Sequence, residues 1–264
     1  MIESTENNKR PIALVTGASA GLGLAFARAL AQRGYDVILV ARRAKRLEAI
    51  AAELSALGAA AEVLPADLTN DDDLARVVDR IRSCDRLALL VNNAGFGLGA
   101  WYHKSALASQ SAMARLHVLA PTHLTHAALR GMVARGRGAV INVSSVAAYL
   151  RGTGGVMYSA TKAFLKYFTL GLAAELTGTG VRVQALCPGF TYTEFHDVMG
   201  MDRALVPKFL WLRADYVVEQ SLRDLERGRV ISIPSLRYKL VVGLLRITPQ
   251  WLMNRMSRQR LGKI

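Results

Sequence analysis

Apolar runs that favour β-strands alternate along the chain with amphipathic stretches that favour helices. Predicted strands cover residues 12–16, 37–40, 61–65, 87–91, 140–143 and 181–185, and a further strand ends near Pro234. Predicted helices cover residues 22–33, 45–57 and 72–81, a long stretch ending near Arg135, and a segment that contains Tyr158. Strands that are apolar throughout and separated by helices predict a parallel sheet covered on both faces. The predicted fold class is therefore α/β, with a doubly wound parallel sheet.

Length and composition predict one domain with two short appendages. The chain has 264 residues and no Ser/Gly/Pro-rich linker divides it, so one large core is expected over residues 11–234. Residues 1–10 are polar and carry both charges, which predicts a flexible lead-in rather than a secretory signal. Residues 235–264 form a basic C-terminal extension. No uncharged apolar stretch reaches about 18 residues, which argues against a membrane span.

Cysteine and histidine spacing predicts no metal site. Cys84 and Cys187 fit no metal-binding pattern, and we interpret them as buried thiols in a reducing cytoplasm. His123 and His126 lie six and nine residues beyond His117, a spacing that does not gather three imidazoles on one helical face. The predicted location is cytoplasmic.

A glycine-rich turn follows the first predicted strand. Gly17-x-x-x-Gly21-x-Gly23 would let the backbone approach a pyrophosphate at the N-terminus of the next helix. By itself the spacing is equally compatible with glycines that only tighten a strand-to-helix turn. In this reading the ligand crevice lies beyond the carboxyl ends of the strands.

The end of the second predicted strand favours NADP(H). An NAD enzyme would normally present an acidic residue there, and Ala41 occupies that place. Arg42 and Arg43 follow it with guanidinium groups suited to a 2′-phosphate. The alternative is that both arginines are only a solvated helix start. Use of NAD(H) stays open because Ala20 stands where NADP-preferring proteins often carry a basic residue.

Tyr158 and Lys162 are four residues apart in a predicted helix and share one face. The Lys162 ammonium could then lower the pKa of the Tyr158 phenol, which would make it a general acid near neutral pH. Lowering that pKa from about 10 to roughly 7 requires about 4 kcal/mol of differential stabilisation, which the lysine and a cationic nicotinamide could supply together. Ser145 lies thirteen residues before the tyrosine. This set predicts the chemistry of a carbonyl reductase.

Five signals occur in an order that resembles the short-chain dehydrogenase/reductase family: the glycine turn, Asp67, the segment 92–95, the Ser145/Tyr158/Lys162 set, and Cys187-Pro188-Gly189 leading to Thr193. The resemblance runs from Pro11 to about Thr193 and implies a Rossmann fold. It implies that Tyr158 donates a proton, that Ser145 binds the same oxygen and that Lys162 also holds the nicotinamide ribose.

The resemblance also implies a set of cofactor-binding residues. Asp67 would meet the adenine, although it could instead be an acid at a helix N-terminus. The full predicted set is Gly17, Ser19, Ala20, Gly21, Leu22, Gly23, Arg42, Arg43, Asp67, Leu68, Asn93, Ala94, Gly95, Tyr158, Lys162, Pro188, Gly189, Thr191 and Thr193.

His117 departs from the family pattern. Relatives of this kind usually carry an asparagine there, which helps to hold a water that joins the lysine to solvent. A neutral imidazole can also anchor a water, so His117 is included among the predicted catalytic residues. A tolerated packing substitution and an impaired turnover are the two alternatives. In the second case the protein would bind NADP and act mainly through a membrane or a partner.

The predicted substrate is a hydrophobic ketone, aldehyde or 3-oxoacyl chain, with alcohol oxidation as the reverse reaction. The segments expected to face it are rich in apolar side chains. They are Phe96, Leu98, Trp101, Tyr102, Ala147, Tyr149, Leu150, Phe190, Phe195, Val198, Met199, Met201, Phe209 and Trp211. Core packing explains several of them equally well. A homo-oligomer, dimer or tetramer, is expected.

Positive charge is concentrated at the C-terminal end. Nine basic residues and no acid follow from Arg227 onward, in a chain of formal net charge +14. Residues 236–247 alternate basic and apolar positions, Pro249 interrupts them, and residues 251–256 follow with Trp251. A short helix pair could lie on an anionic membrane or cover the active site or a subunit partner. No nucleic-acid module is present, so nucleic acid is not an expected partner.

Overall fold

The computed structural model describes residues 9–98, 101–150, 155–195, 199 and 202–248. Most of the predicted N-terminal lead and the part of the C-terminal extension from Pro249 onward, with the second predicted helix at 251–256, lie outside the described residues. Val198 and Met201 of the predicted substrate segment lie outside them as well.

Seven parallel strands form one sheet in the order β3-β2-β1-β4-β5-β6-β7. They are β1 Ile12–Thr16, β2 Asp36–Ala41, β3 Ala61–Pro65, β4 Leu87–Asn92, β5 Gly138–Val143, β6 Val181–Leu186 and β7 Ile231–Ser232. The strand order reverses between β1 and β4, which is where a doubly wound sheet opens its ligand crevice. The predicted fold class is confirmed.

Helices cover both faces of the sheet. They are α1 Gly21–Gln32, α2 Ala44–Ala56, α3 Asp71–Arg82, α4 Leu107–Ala114, α5 Ala120–Ala134, α6 Val156–Glu175, α7 Ala214–Glu226 and α8 Leu236–Ile247. One layer contains α1, α2 and α7, and the other contains α3, α5 and α6. Successive strand residues alternate between the two cores: Ala13 and Val15 pack on the first layer, Ile12 and Leu14 on the second. This is why the strands are apolar throughout.

The long helix predicted to end near Arg135 is interrupted. A π-helical turn, Arg115–Leu119, separates α4 from α5 and has His117 at its centre. Such turns often occur at functional sites. Here the turn directs His117 inward, where it is 1% exposed.

Helix α8 packs on the fold through its inner face. Tyr238 and Val242 are 3% and 2% exposed, and Val242 joins a small core cluster with Tyr149 and Cys187. Of the two interpretations of the C-terminal extension, this part therefore covers the fold. Among the described residues, no helix has the length and apolarity needed to cross a membrane.

Candidate active site

The turn after β1 requires glycine at two places. Gly17 has φ +66°, in the left-handed region, and a Cβ there would lie 2.8 Å from Asn93 Nδ2. A Cβ on Gly23 would lie 2.2 Å from the Gly17 carbonyl oxygen. The first turn of α1 therefore packs directly on the loop, with its free N–H groups toward the crevice. This cradle fits a pyrophosphate, as the sequence predicted.

Asn93 and Ala94 tie the end of β4 to the glycine turn. The Asn93 side chain donates to the Thr16 carbonyl oxygen at 2.8 Å, and the backbone N–H groups of Asn93 and Ala94 both donate to Thr16 Oγ1, at 2.9 and 3.0 Å. These bonds hold the two strand ends on either side of the crevice. Thr16 was not among the predicted site residues, because a threonine that ends a strand carries no signal of this role.

The two arginines after β2 take different positions. Arg42 is 77% exposed and lies 3.9 Å from Asp67 Oδ2. Arg43 turns over the glycine loop and donates to Ser19 Oγ at 3.0 Å. It also donates to Glu194, which lies beyond β6 and accepts from Arg46 at 2.7 Å. Sequence reasoning missed Arg46, although it lies three residues from Arg43, one helical turn along α2.

Asp67 lies in the loop after β3, at the same edge of the sheet, with Leu68 buried beside it. Its Oδ1 accepts from the N–H and the hydroxyl of Thr69, at 3.0 and 2.7 Å. The cap of α3 is Asn70, which accepts from Asp73 N at 3.0 Å. Asp67 is therefore not the capping residue of α3, although its own N–H donates to Asp73 Oδ2 in the first turn of that helix at 2.7 Å.

The Pro188–Gly189 turn faces the crevice from β6. Its Pro188 carbonyl oxygen accepts from Val146 N at 3.0 Å, and Thr191 Oγ1 donates to the Gly189 carbonyl oxygen at 3.0 Å. Tyr238 of α8 lies flat against Gly189, where an added Cβ would lie 2.0 Å from its ring. The C-terminal helix thus supports the turn that was predicted to hold the nicotinamide carboxamide.

Tyr158, Lys162 and Ser145 meet beside this turn. Tyr158 and Lys162 are one turn apart on α6, with Lys162 Nζ 5.6 Å from the centre of the Tyr158 ring. Lys162 Nζ donates to the Val143 carbonyl oxygen at 2.8 Å, and Ser145 follows β5, with its hydroxyl close enough to the Tyr158 phenol to lower the pKa of that phenol. The neighbouring Ser144 instead donates to the Lys162 carbonyl oxygen at 2.7 Å, which fixes α6 against β5.

The protonation of this set differs from the sequence-based expectation. Burial raises the pKa of Tyr158 to about 12, with the Ser145 hydrogen bond offsetting part of the rise. Burial lowers the pKa of Lys162 to about 8, offset in part by the nearby Cys187 thiol. This shift is opposite in direction to the expected lowering, because desolvation of the phenol is its largest cause. At neutral pH the phenol keeps its proton.

His117 has partners for both ring nitrogens. Nε2 accepts from Phe96 N at 3.1 Å, and Nδ1 lies 3.1 Å from Thr161 Oγ1. Since the Thr161 hydroxyl donates to the Tyr158 carbonyl oxygen at 2.9 Å, its oxygen is left to accept from an Nδ1–H. Burial, and then the charge of Lys162, hold the pKa of His117 well below its usual value. The imidazole is therefore neutral and carries its proton on Nδ1.

Aromatic and apolar side chains surround the Tyr158 ring. The ring centres of Phe195 and His117 lie 5.7 and 5.9 Å from that of Tyr158, and Met199 packs against Gly97. Leu98 and Tyr102 line a cleft beside Tyr158 together with Met113, which was not predicted.

Other predicted substrate residues have structural positions. Tyr149 and Trp211 are 8% and 7% exposed; Tyr149 packs in the core, and Trp211 stacks on Tyr192. Phe209 is 60% exposed. Across the ranges given above, no three His, Cys, Asp or Glu side chains are grouped so that they could hold a metal ion.

The amino-acid sequence is similar to a known protein family. Residues 11–203 match the family model described as short chain dehydrogenase. The serine 3-dehydrogenase of Agrobacterium fabrum is 42% identical over 187 residues, which are 69% of this chain and 72% of the relative.

Two solved structures share the fold over almost their whole length. A short-chain dehydrogenase from Sphingobium yanoikuyae in complex with NADPH is 35% identical, with a TM-score of 0.82 over 91% of this chain and 97% of that one. The bulky-bulky ketone specific alcohol dehydrogenase of Comamonas testosteroni is 30% identical, with a TM-score of 0.79 over 92% and 96%.

Proposed function

The chain belongs to the short-chain dehydrogenase/reductase family, an oxidoreductase family acting on CH–OH groups, and we propose that it is an NADPH-dependent carbonyl reductase. The observation that carries the proposal is the meeting of Ser145, Tyr158 and Lys162 beside the glycine cradle and the Pro188–Gly189 turn. Alcohol oxidation is the reverse reaction.

Each member of the catalytic set has a distinct role in the proposal. Bound NADPH supplies the hydride. Tyr158 donates its phenolic proton to the alkoxide oxygen, which suits a phenol whose pKa of about 12 keeps it protonated at neutral pH. Ser145 donates a hydrogen bond to the same oxygen. The Lys162 ammonium, held at the Val143 carbonyl oxygen, provides positive charge near the phenolate that forms.

NADP(H) is the favoured cofactor, and NAD(H) is a weaker one. Arg43 lies over the glycine turn with Arg46 beside it, and no acid stands at position 41. A related structure holds NADPH. The glycine cradle fits the pyrophosphate, and Arg43 and Arg46, together with Asp67, fit an adenosine 2′-phosphate.

The proposed substrate is a hydrophobic ketone or aldehyde, including a 3-oxoacyl chain. Phe195, Leu98 and Met199 give the reacting side of Tyr158 an apolar wall, which favours apolar groups on both sides of the carbonyl. The relative from Comamonas testosteroni is named for bulky ketones.

A 3-hydroxy acid is the second candidate substrate. The relative from Agrobacterium fabrum is a serine 3-dehydrogenase.

Two further proposals concern association. Tyr167 and Leu170 on α6 are 65% and 39% exposed, and these apolar positions support a homo-oligomer. Light scattering after gel filtration would measure its mass. The outer face of α8 supports contact with an anionic membrane, because Leu236, Leu240, Leu244 and Ile247 are 63–78% exposed.

Turnover of NADPH and NADH against a panel of apolar ketones, aldehydes, 3-oxoacyl thioesters and 3-oxo acids tests the function. Tyr158→Phe should lower kcat about 100-fold or more, since general acid catalysis contributes that much, while NADPH still binds. Tyr216→Phe removes a hydroxyl from the exposed side of α7 and should leave kcat unchanged. Equal activity in Tyr158→Phe would refute the assigned role. NADPH binding without turnover of any substrate would favour a weakly catalytic binding protein.

A further inference from the structure

Glu194 occupies the anion-binding edges of two arginines at the cofactor crevice. Arg43 Nη1 and Nη2 lie 3.2 and 3.3 Å from Glu194 Oε2, and Arg46 Nη2 lies 2.7 Å from Oε1. The carboxylate therefore has both oxygens engaged by guanidinium groups from α2. Since Glu194 and Arg43 are 151 positions apart in the chain, this contact joins the far end of the crevice to the end of β2.

The remaining donors of Arg43 are directed at the glycine turn. Its Nε and Nη2 lie 3.3 and 3.0 Å from Ser19 Oγ, and Nη2 also reaches the Ser19 carbonyl oxygen at 3.4 Å. Ser19 and Glu194 together thus engage Nε and both terminal nitrogens of this guanidinium. A phosphate that makes two hydrogen bonds with Arg43 must therefore displace either Ser19 or the Glu194 carboxylate from the guanidinium. The Glu194 carboxylate is the partner on the exposed side.

Glu194 can give up its contacts with the two arginines at small cost. The side chains of Arg43, Arg46 and Glu194 are 48%, 44% and 44% exposed, so breaking their contacts returns them to water at small cost. Thr193 rests against Gly21 of the phosphate cradle, 3.1 Å from where a Cβ would stand. The segment that holds Glu194 thus begins directly over the pyrophosphate position.

We propose that Glu194 is a specificity-determining residue whose carboxylate competes with the cofactor 2′-phosphate for Arg43 and Arg46. A 2′-phosphate, with more negative charge and three acceptor oxygens, displaces the carboxylate from both guanidinium groups. A ribose 2′-hydroxyl has no charge with which to do so, and the Glu194 contacts persist when NADH binds. Glu194 thus lowers the preference for NADPH over NADH, and Arg46 becomes a second contact of the phosphate. This inference rests on the proposed use of NADPH.

Fluorescence titration of the full chain with NADPH, NADH and adenosine 2′,5′-bisphosphate tests the inference. Glu194→Gln keeps the shape of the side chain and removes its charge. It should lower the Kd of NADPH and of the bisphosphate by about 3- to 10-fold, the range for a pair of exposed ionic contacts, and leave the Kd of NADH unchanged. Arg46→Gln should raise the Kd of NADPH by a similar factor and should reduce the effect of Glu194→Gln in the double variant.

Glu48→Gln is the matched control. It removes the same charge from an exposed position on α2, two residues from Arg46, and should change the Kd of NADPH less than twofold. Equal effects of Glu48→Gln and Glu194→Gln on the Kd of NADPH would show that only net charge matters, and would overturn the inference. Weaker NADPH binding in Glu194→Gln would also overturn it, because Glu194 would then help to hold the cofactor. Weaker binding of NADH alone would overturn it as well, because Glu194 would then bind the ribose. A wild-type protein that binds neither nucleotide would instead refute the proposed function.

Discussion

His117 links three parts of the active site as a neutral hydrogen-bonding side chain. Its ring accepts from the loop after β4, through Phe96 N, and donates to Thr161 on α6, which in turn donates to the Tyr158 carbonyl oxygen. Both ring nitrogens are engaged in this way, which favours the interpretation that His117 positions the Tyr158 turn of α6. The water relay stays a prediction.

The buried neutral state of His117 predicts a pH dependence of stability. Its pKa in the fold is well below the value of about 6.5 in the unfolded chain. Below pH 6.5 the unfolded state binds a proton that the folded state does not, so the free energy of unfolding falls as the pH falls. The slope contributed by His117 reaches at most about 1.4 kcal/mol per pH unit, and the contribution disappears above pH 7.

Urea unfolding between pH 5 and 8 measures this slope. His117→Asn should be less stable at pH 8, because it removes two hydrogen bonds of a buried ring, yet it should lose stability less steeply below pH 6.5. His123→Asn, at an exposed position on α5, is the control and should keep the wild-type slope. Parallel curves for wild type and His117→Asn would show that His117 takes up its proton as readily in the fold as in the unfolded chain.

At the residue scale, the sequence predicted which side chains lie together better than it predicted their protonation states. The glycines, Ser145, Tyr158 and Lys162 lie at one crevice because motif spacing reports local geometry along strands and helices. The direction of the Tyr158 pKa depends on burial, which is a property of the whole fold and has no local signal. Glu194 was missed for the same reason, since its arginine partners are distant in the chain.

At the element scale, helix α8 packs against the predicted cofactor site. The sequence alone had left open whether this helix lies on a membrane or covers the fold. Helix α8 inserts Tyr238 between the turn after β6 and the segment before α7. Its hydroxyl accepts from Phe190 N at 3.0 Å and donates to the Leu210 carbonyl oxygen at 2.7 Å. The ring lies against Gly189, so no larger residue fits there. The predicted nicotinamide turn is thus held from behind by the C-terminal extension.

Removing the Tyr238 hydroxyl should loosen this turn. Tyr238→Phe leaves the Phe190 N–H and the Leu210 carbonyl without their partner, and a buried unpaired group costs about 1–3 kcal/mol. We expect a lower Tm and a KM for NADPH raised several-fold, with a smaller change in kcat. Tyr216→Phe, on the exposed side of α7, is the control and should change neither quantity. A lower Tm with an unchanged KM would mean that Tyr238 stabilises the fold without supporting the cofactor turn.

The strands and most helices were predictable because their signals are local. Continuous apolar runs set β1 to β6, and the predicted helix starts agree with the structure to within a residue or two. Helix α7 was not predicted: the predicted substrate-facing residues end at Trp211, and no helix was assigned between there and the strand ending near Pro234. The π-helical turn at Arg115–Leu119 was also missed, because an inserted residue does not interrupt the surrounding helical pattern.

At the scale of the whole molecule, charge and apolar exposure coincide on α8. Leu236, Leu240 and Leu244 recur every four residues, so they form one outward stripe opposite the buried Tyr238 and Val242. The same helix carries three basic residues and no acid, namely Arg237, Lys239 and Arg246. A second copy, or the chain's own basic C-terminal residues, would bring like charges together over this stripe. An anionic bilayer complements both its apolar and its cationic character.

Co-sedimentation of the full chain with lipid vesicles tests this surface. Phosphatidylglycerol vesicles should bind the wild type at about 50 mM salt and much less at about 500 mM, because screening weakens the attraction of exposed charges. The double variant Leu240→Ser/Leu244→Ser should bind at least about 5-fold less, since it removes apolar surface that enters the bilayer. Leu57→Ser removes a leucine that is 44% exposed on another part of the fold, and it should bind like wild type. Equal binding to phosphatidylcholine vesicles would contradict the role of charge. A double variant with wild-type binding but a smaller mass in light scattering would assign the stripe to contact between subunits.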